Sequence, residues 1–102
     1  MTDWHDAAAC DAVEDDAVIG VSVDGRPIAI FKLDGQYHAL KDLCSHGAAR
    51  LSDGYVEDGC VECPLHQGLI DIRTGAARSA PITIDVKTYP IRVSGDRLEV
   101  EF

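Results

Sequence analysis

The 102-residue chain carries 18 acidic side chains against 9 Lys and Arg, a formal charge of −9, and its first 25 residues hold seven acids and no base. That balance excludes the phosphate-neutralising surface on which nucleic-acid binding depends and suits docking onto basic protein surfaces. The length sets a single domain, one that buries only about 60–70% of the surface its unfolded form exposes, so any cross-link between distant loops matters to stability.

The acidic segment from Met1 to Asp16 has no Lys or Arg, unlike a secretory leader. A turn or two of helix is expected over Asp6 to Val13, and Trp4 is expected to anchor the segment by packing. The longest apolar run that follows, Ala17 to Val21, falls far short of the roughly 20 residues that span a bilayer. A cytoplasmic chain with no membrane association is expected.

Short β-strands cut by tight turns dominate from there. Asp-Gly pairs stand at Asp24-Gly25, Asp34-Gly35, Asp53-Gly54 and Asp58-Gly59. Asp-Gly between apolar runs favours a type I′ hairpin, because both residues tolerate positive φ. The first two pairs separate Ala17–Val23, Ile28–Leu33 and Tyr37–Leu40, a three-strand meander. Tyr55-Val56-Glu57 and Cys60-Val61-Glu62 form a hairpin across Asp58-Gly59. Ile91-Arg92-Val93 and Leu98–Phe102 form another across Ser94-Gly95-Asp96. With no long apolar stripe at the 3.6-residue period, the fold class is all-β.

Between Leu43 and Pro81 the chain turns rich in Gly, Cys, His and Pro, as a loop region bearing a site would be. Two boxes stand out there, Cys44-Ser45-His46-Gly47 and Cys63-Pro64-Leu65-His66-Gln67-Gly68. Each offers one thiolate and one imidazole, and the hairpin between them brings the boxes together. Four cysteines without an export signal point to metal ligands, redox groups or plain buried thiols rather than disulfides. Two thiolates on one iron and two imidazoles on the other make a Rieske [2Fe–2S] centre. The candidate ligands are Cys44, His46, Cys63 and His66, with Gly47 and Gly68 allowing backbone close to the sulfurs. The same four side chains could hold zinc, and Cys60 with Cys63 has the Cys-x2-Cys spacing of zinc ribbons. Cys10 and Cys60 are otherwise expected as thiols without a role, and His5 and His38 as surface histidines. No nucleophilic triad, phosphate-binding loop or carboxylate pair marks a catalytic site.

The boxes, with Leu51-Ser52-Asp53-Gly54-Tyr55, Arg73-Thr74-Gly75, Ala80-Pro81 and Lys87-Thr88-Tyr89-Pro90, resemble the Rieske-type ferredoxin components of bacterial aromatic ring-hydroxylating dioxygenases, the naphthalene dioxygenase system among them. The resemblance runs over nearly the whole chain. It implies a single domain over 1–102 of stacked antiparallel sheets, with an inserted cluster-binding subdomain over about 43–72 and a Pro81 loop covering the cluster. It implies one [2Fe–2S] cluster per chain, held by Cys44, His46, Cys63 and His66. The implied role is that of a monomeric one-electron carrier rather than an enzyme. Electrons would come from an NADH-dependent flavoprotein ferredoxin reductase and go to a terminal Rieske oxygenase. A small Rieske subunit of another redox enzyme, such as assimilatory nitrite reductase, shares the same pattern. Respiratory Rieske proteins carry a disulfide between the two cluster loops. The corresponding positions are Ala49 and Leu65, which implies a low potential. The family often has an aromatic residue near Ile70, where a packing change is expected.

Overall fold

The computed structural model describes residues 2–44, 49–65, 67–80 and 84–102. Among the described residues the strands are β1 (Trp4–Ala9), β2 (Ala17–Val23), β3 (Arg26–Leu33), β4 (Gln36–Lys41), β5 (Tyr55–Glu57), β6 (Cys60–Glu62), β7 (Leu69–Asp71), β8 (Thr88–Tyr89), β9 (Ile91–Ser94) and β10 (Arg97–Glu101). They form three antiparallel sheets, ordered β1-β10-β9, β2-β3-β4-β8 and β5-β6-β7. The described residues contain no α-helix, only two short 3-10 turns at Cys10–Ala12 and Leu51–Asp53. Among the described residues no helix is long and apolar enough to cross a membrane.

The meander forms as expected, with Ile19 opposite Ile30 and Ile30 opposite Ala39. Its turns have positive φ at both residues, 49° and 79° at Asp24-Gly25 and 51° and 76° at Asp34-Gly35. This is the type I′ signature, whose twist matches that of the flanking strands. The Asp58-Gly59 turn repeats it at 51° and 76°. The Asp53-Gly54 pair does not. Gly54 has φ −88° and donates its amide to Leu51 O at the end of the second 3-10 turn. Glycine is needed there because a Cβ would strike the carbonyl of Glu62.

The helix expected over Asp6 to Val13 is instead β1 followed by the first 3-10 turn. Its alanines favour a helix in isolation, but pairing with β10, Trp4 opposite Glu101 and His5 opposite Val100, overrides that preference. Trp4 is half-buried beneath the Arg92 guanidinium, 4.1 Å from its ring. Neither His5 nor His38 is a plain surface residue. His5 stacks on Phe102 at 3.9 Å with its Nε2 3.3 Å from the Phe102 carbonyl, and His38 buries its Nε2 without a hydrogen-bond partner.

Strand β3 divides the core. Ile28 and Ile30 face one apolar group with Ala39, Tyr89, Leu98 and Val100, while Ala29, Phe31 and Leu33 face another with Leu40, Leu51, Val61 and Ile70. A strand covered on both faces reads as an unbroken apolar run, which Ile28-Ala29-Ile30-Phe31 is. Strand β4 pairs directly with β8, Ala39 opposite Tyr89, so everything between Asp42 and Lys87 is inserted between two neighbouring strands. The third sheet belongs to that insertion.

Candidate metal centre

Both candidate boxes begin where a strand ends. Cys44 follows β4 by three residues, and Cys63 directly follows β6. Each cysteine then turns its chain back in the same way: the Cys44 amide donates to Ala49 O at 2.8 Å, and the Cys63 amide donates to Gly68 O at 2.9 Å. In both loops the acceptor stands five residues on. The second loop is tightened by Gln67, which adopts φ 59° and donates its amide to the Cys63 carbonyl at 2.9 Å.

The β5–β6 hairpin has the expected register, with Val56 opposite Val61 and Glu57 opposite Cys60. It delivers Cys63 into the apolar group under β3 that also holds Cys44. The two thiol residues are 2% and 0% exposed, packed in that group with Leu51, Val61 and Ile70. Two cysteines far apart in sequence thus enter one dry environment from separate loops. His46, Gly47, His66 and Pro81 lie outside the described residues. Gly68 is buried. Ile70, where the family often has an aromatic residue, is fully buried in the same group.

The other two cysteines go elsewhere. Cys60 sits within β6 opposite Asp71, outside the group that holds Cys63. Burial, and next the negative charge of Asp71, push its thiol above the ordinary value. The Cys-x2-Cys spacing is thus not matched by a shared apolar group. Cys10 lies in the first 3-10 turn, where its carbonyl accepts the Tyr37 hydroxyl at 3.0 Å.

Ala49 and Leu65 line one open concavity of about 450 Å³, together with Arg50, Asp53 and Pro64. Leu65 is 62% exposed. The two loops therefore meet the surface side by side, joined there by no sulfur bridge.

One residue of the region carried no signal in the sequence. Asp42 looked like any other acid before the first box, yet it is fully buried. Its Oδ1 accepts the Ser52 amide at 2.8 Å and its Oδ2 accepts the Ser52 hydroxyl at 2.6 Å. The Arg50 guanidinium stands 3.7 Å from Oδ2.

Comparison with known proteins fits this geometry. The family model for the Rieske [2Fe-2S] domain matches residues 3–90. The chain is 54% identical to the anthranilate 1,2-dioxygenase ferredoxin subunit of Burkholderia cepacia, over 98% of this chain and 93% of that protein. It is 44% identical to the ferredoxin component of the naphthalene 1,2-dioxygenase system of Pseudomonas aeruginosa, over 96% and 94%. Among solved structures it superposes with TM-score 0.89 on a chain from a complex of reduced oxygenase and oxidized ferredoxin in carbazole 1,9a-dioxygenase, at 28% identity and covering 95% of this chain and 91% of that one. It superposes with TM-score 0.87 on a protein assigned as an NADH-dependent nitrite reductase small subunit of Mycobacterium tuberculosis, at 28% identity and covering 100% and 96%.

Proposed function

Because this chain belongs to the Rieske [2Fe–2S] domain family, and within it to the ferredoxin components of aromatic-ring dioxygenase systems, we propose that it carries electrons singly from an NADH-dependent flavoprotein reductase to a terminal Rieske oxygenase. It catalyses no reaction by itself. The observation that carries this reading is the pair of similarly closed loops, each delivering a buried cysteine into one apolar group, in a chain so similar to ferredoxin subunits along its whole length.

The residues present fit an iron–sulfur group. Cys44 and Cys63 would be the thiolate ligands of one iron, and His46 and His66 would supply nitrogen to the other. Once bound, such a cluster supplies reversible one-electron redox chemistry. The protein's part is to hold the two loops at fixed separation and keep the sulfur side dry. It also places the surface formed by Ala49, Pro64 and Leu65 beside the site, where a partner can approach. The stretch over about 43–72 serves as the cluster-binding subdomain of the single domain spanning 1–102. One cluster per chain, a monomer, and work in the cytoplasm complete the reading. The net charge of −9 favours partners whose docking faces are basic, with association slowed by salt.

Without a bridge at Ala49 and Leu65, the midpoint falls near the lower end of the Rieske range, about −150 mV rather than about +300 mV. Reconstitution with an NADH-dependent reductase and an aromatic oxygenase tests the function, since oxygenase turnover should depend on added ferredoxin. Failure of electrons to reach any oxygenase would sink it. The likeness to a nitrite reductase small subunit supports a second reading, in which the same carrier serves nitrite reduction. Electron delivery to a nitrite reductase in place of an oxygenase decides for it. Analysis of purified protein for iron and acid-labile sulfide separates both readings from a zinc-stabilised interaction module, which would contain neither.

A further inference from the structure

Asp42 is the one fully buried charged side chain among the described residues. A carboxylate taken out of water survives only where hydrogen bonds and opposite charge replace its hydration. Here nearly all of that replacement comes from a single residue ten positions on. Ser52 gives its amide to Oδ1 at 2.8 Å and its hydroxyl to Oδ2 at 2.6 Å, with the Arg50 guanidinium 3.7 Å away. The Asp42 amide is itself tied to β3, donating to Pro27 O at 2.9 Å.

The position of this grip matters. Asp42 precedes the first box and Ser52 follows it, so the bonds close the base of the loop that carries Cys44. Inside them, among the described residues, the Cys44 amide bonds to Ala49 O. The clasp also rests against β2 at Gly20, where a Cβ would come within 2.6 Å of the Ser52 hydroxyl and 2.8 Å of Asp42 Oδ2. A glycine in mid-strand weakens the strand. At this point it admits the clasp. A buried charge, its bidentate partner and a glycine that makes room for both thus converge on one loop base.

We propose that Asp42 is a positioning residue for Cys44. By gripping Ser52 across the base of the first box, it fixes the backbone from which the Cys44 thiol would be presented to a metal. The proposal rests on the reading of Cys44 as a ligand. Outer partners of metal ligands act in this way, orienting the ligand without touching the metal.

The test uses the iron-loaded protein and four variants. Asp42→Ala removes both acceptors. Asp42→Asn keeps an oxygen for the Ser52 amide and can donate its NH2 to the Ser52 hydroxyl. Ser52→Ala removes the hydroxyl bond alone, and Cys44→Ala tests the underlying ligand. Release of iron to an excess of chelator should be about 10- to 100-fold faster in Asp42→Ala than in the parent. Asp42→Asn should restore most of the retention, and Ser52→Ala should fall between. The electron-resonance spectrum of the reduced protein should also change in Asp42→Ala and return towards the parent's in Asp42→Asn. Release at the parent rate overturns the proposal. So does faster release with an unchanged resonance spectrum, which marks a merely structural role. Should Asp42→Ala not fold, Ser52→Ala decides by the same readouts. Cluster retention in Cys44→Ala would instead overturn the ligand reading, a separate outcome.

Discussion

The amide of Val86 donates to the carbonyl of Gly75 at 2.7 Å, and the two backbones lie so close there that a Cβ on Gly75 would strike the Val86 carbonyl. Gly75 also has φ 77° and gives its own amide to Asp71 O at 2.8 Å. The contact fastens the turn after β7 to the segment leading into β8. Gly75→Ala should therefore destabilise the fold. The left-handed backbone alone accounts for roughly 1–3 kcal/mol, and the collision adds to it. Chemical denaturation followed by circular dichroism measures the loss. An unchanged midpoint would show that the turn relaxes freely.

Cysteine replacements should divide sharply. Cys44→Ala and Cys63→Ala should each abolish iron binding and the visible absorption, since each removes a ligand that no neighbouring group can replace. Cys60→Ala and Cys10→Ala should keep both, because Cys60 lies outside the shared apolar group and Cys10 packs against the other one. Iron content together with the spectrum checks all four variants. A retained spectrum in Cys63→Ala contradicts the ligand assignment.

Exchanging an imidazole for a thiolate adds negative charge that opposes electron uptake. His46→Cys or His66→Cys should lower the midpoint by on the order of 100 mV, towards the about −400 mV of all-thiolate clusters. A redox titration of either variant reads this directly, and a rise in midpoint would reverse the electrostatic reasoning.

His38 makes stability depend on pH. Burial, and next the nearby positive charge of Arg73, hold its imidazole below the ordinary value of 6.5, with Asp71 opposing them. The unfolded chain thus binds this proton at higher pH than the folded one. The contribution is whole above 6.5 and is lost as pH falls from there to the lowered folded value. Denaturation midpoints measured through that window should fall less steeply in His38→Gln than in the parent. Equal slopes in the two proteins would remove His38 from the account.

The strands that sequence revealed were those whose information is local. Asp24-Gly25, Asp34-Gly35 and Asp58-Gly59 each specify a hairpin with their own backbone preferences, and the apolar runs beside them supply the rest. Asp53-Gly54 shares that spelling, but its glycine answers a distant demand, the nearness of Glu62 across the β5–β6 hairpin. Strand β1 was hidden for a related reason: Ala7-Ala8-Ala9 suits a helix until β10 lies alongside. Strands β7 and β8 are too short, at three and two residues, to show a period. Within the candidate site, the paired Cys and His boxes were plain, since ligand chemistry restricts residue types tightly. Asp42 was not, because its meaning depends on Ser52 and Gly20, which only the folded chain brings to it.

Sheet β1-β10-β9 joins residue 4 to residue 101, and the backbone of Asp3 exchanges two hydrogen bonds with Phe102 beyond it. A growing polypeptide therefore cannot complete this sheet while β10 is still inside the ribosome, although the local hairpins can already form. Until then, the apolar faces that Leu98 and Val100 will cover stand open to water. The arrival of β10, rather than any local turn, is the event that seals that half of the core.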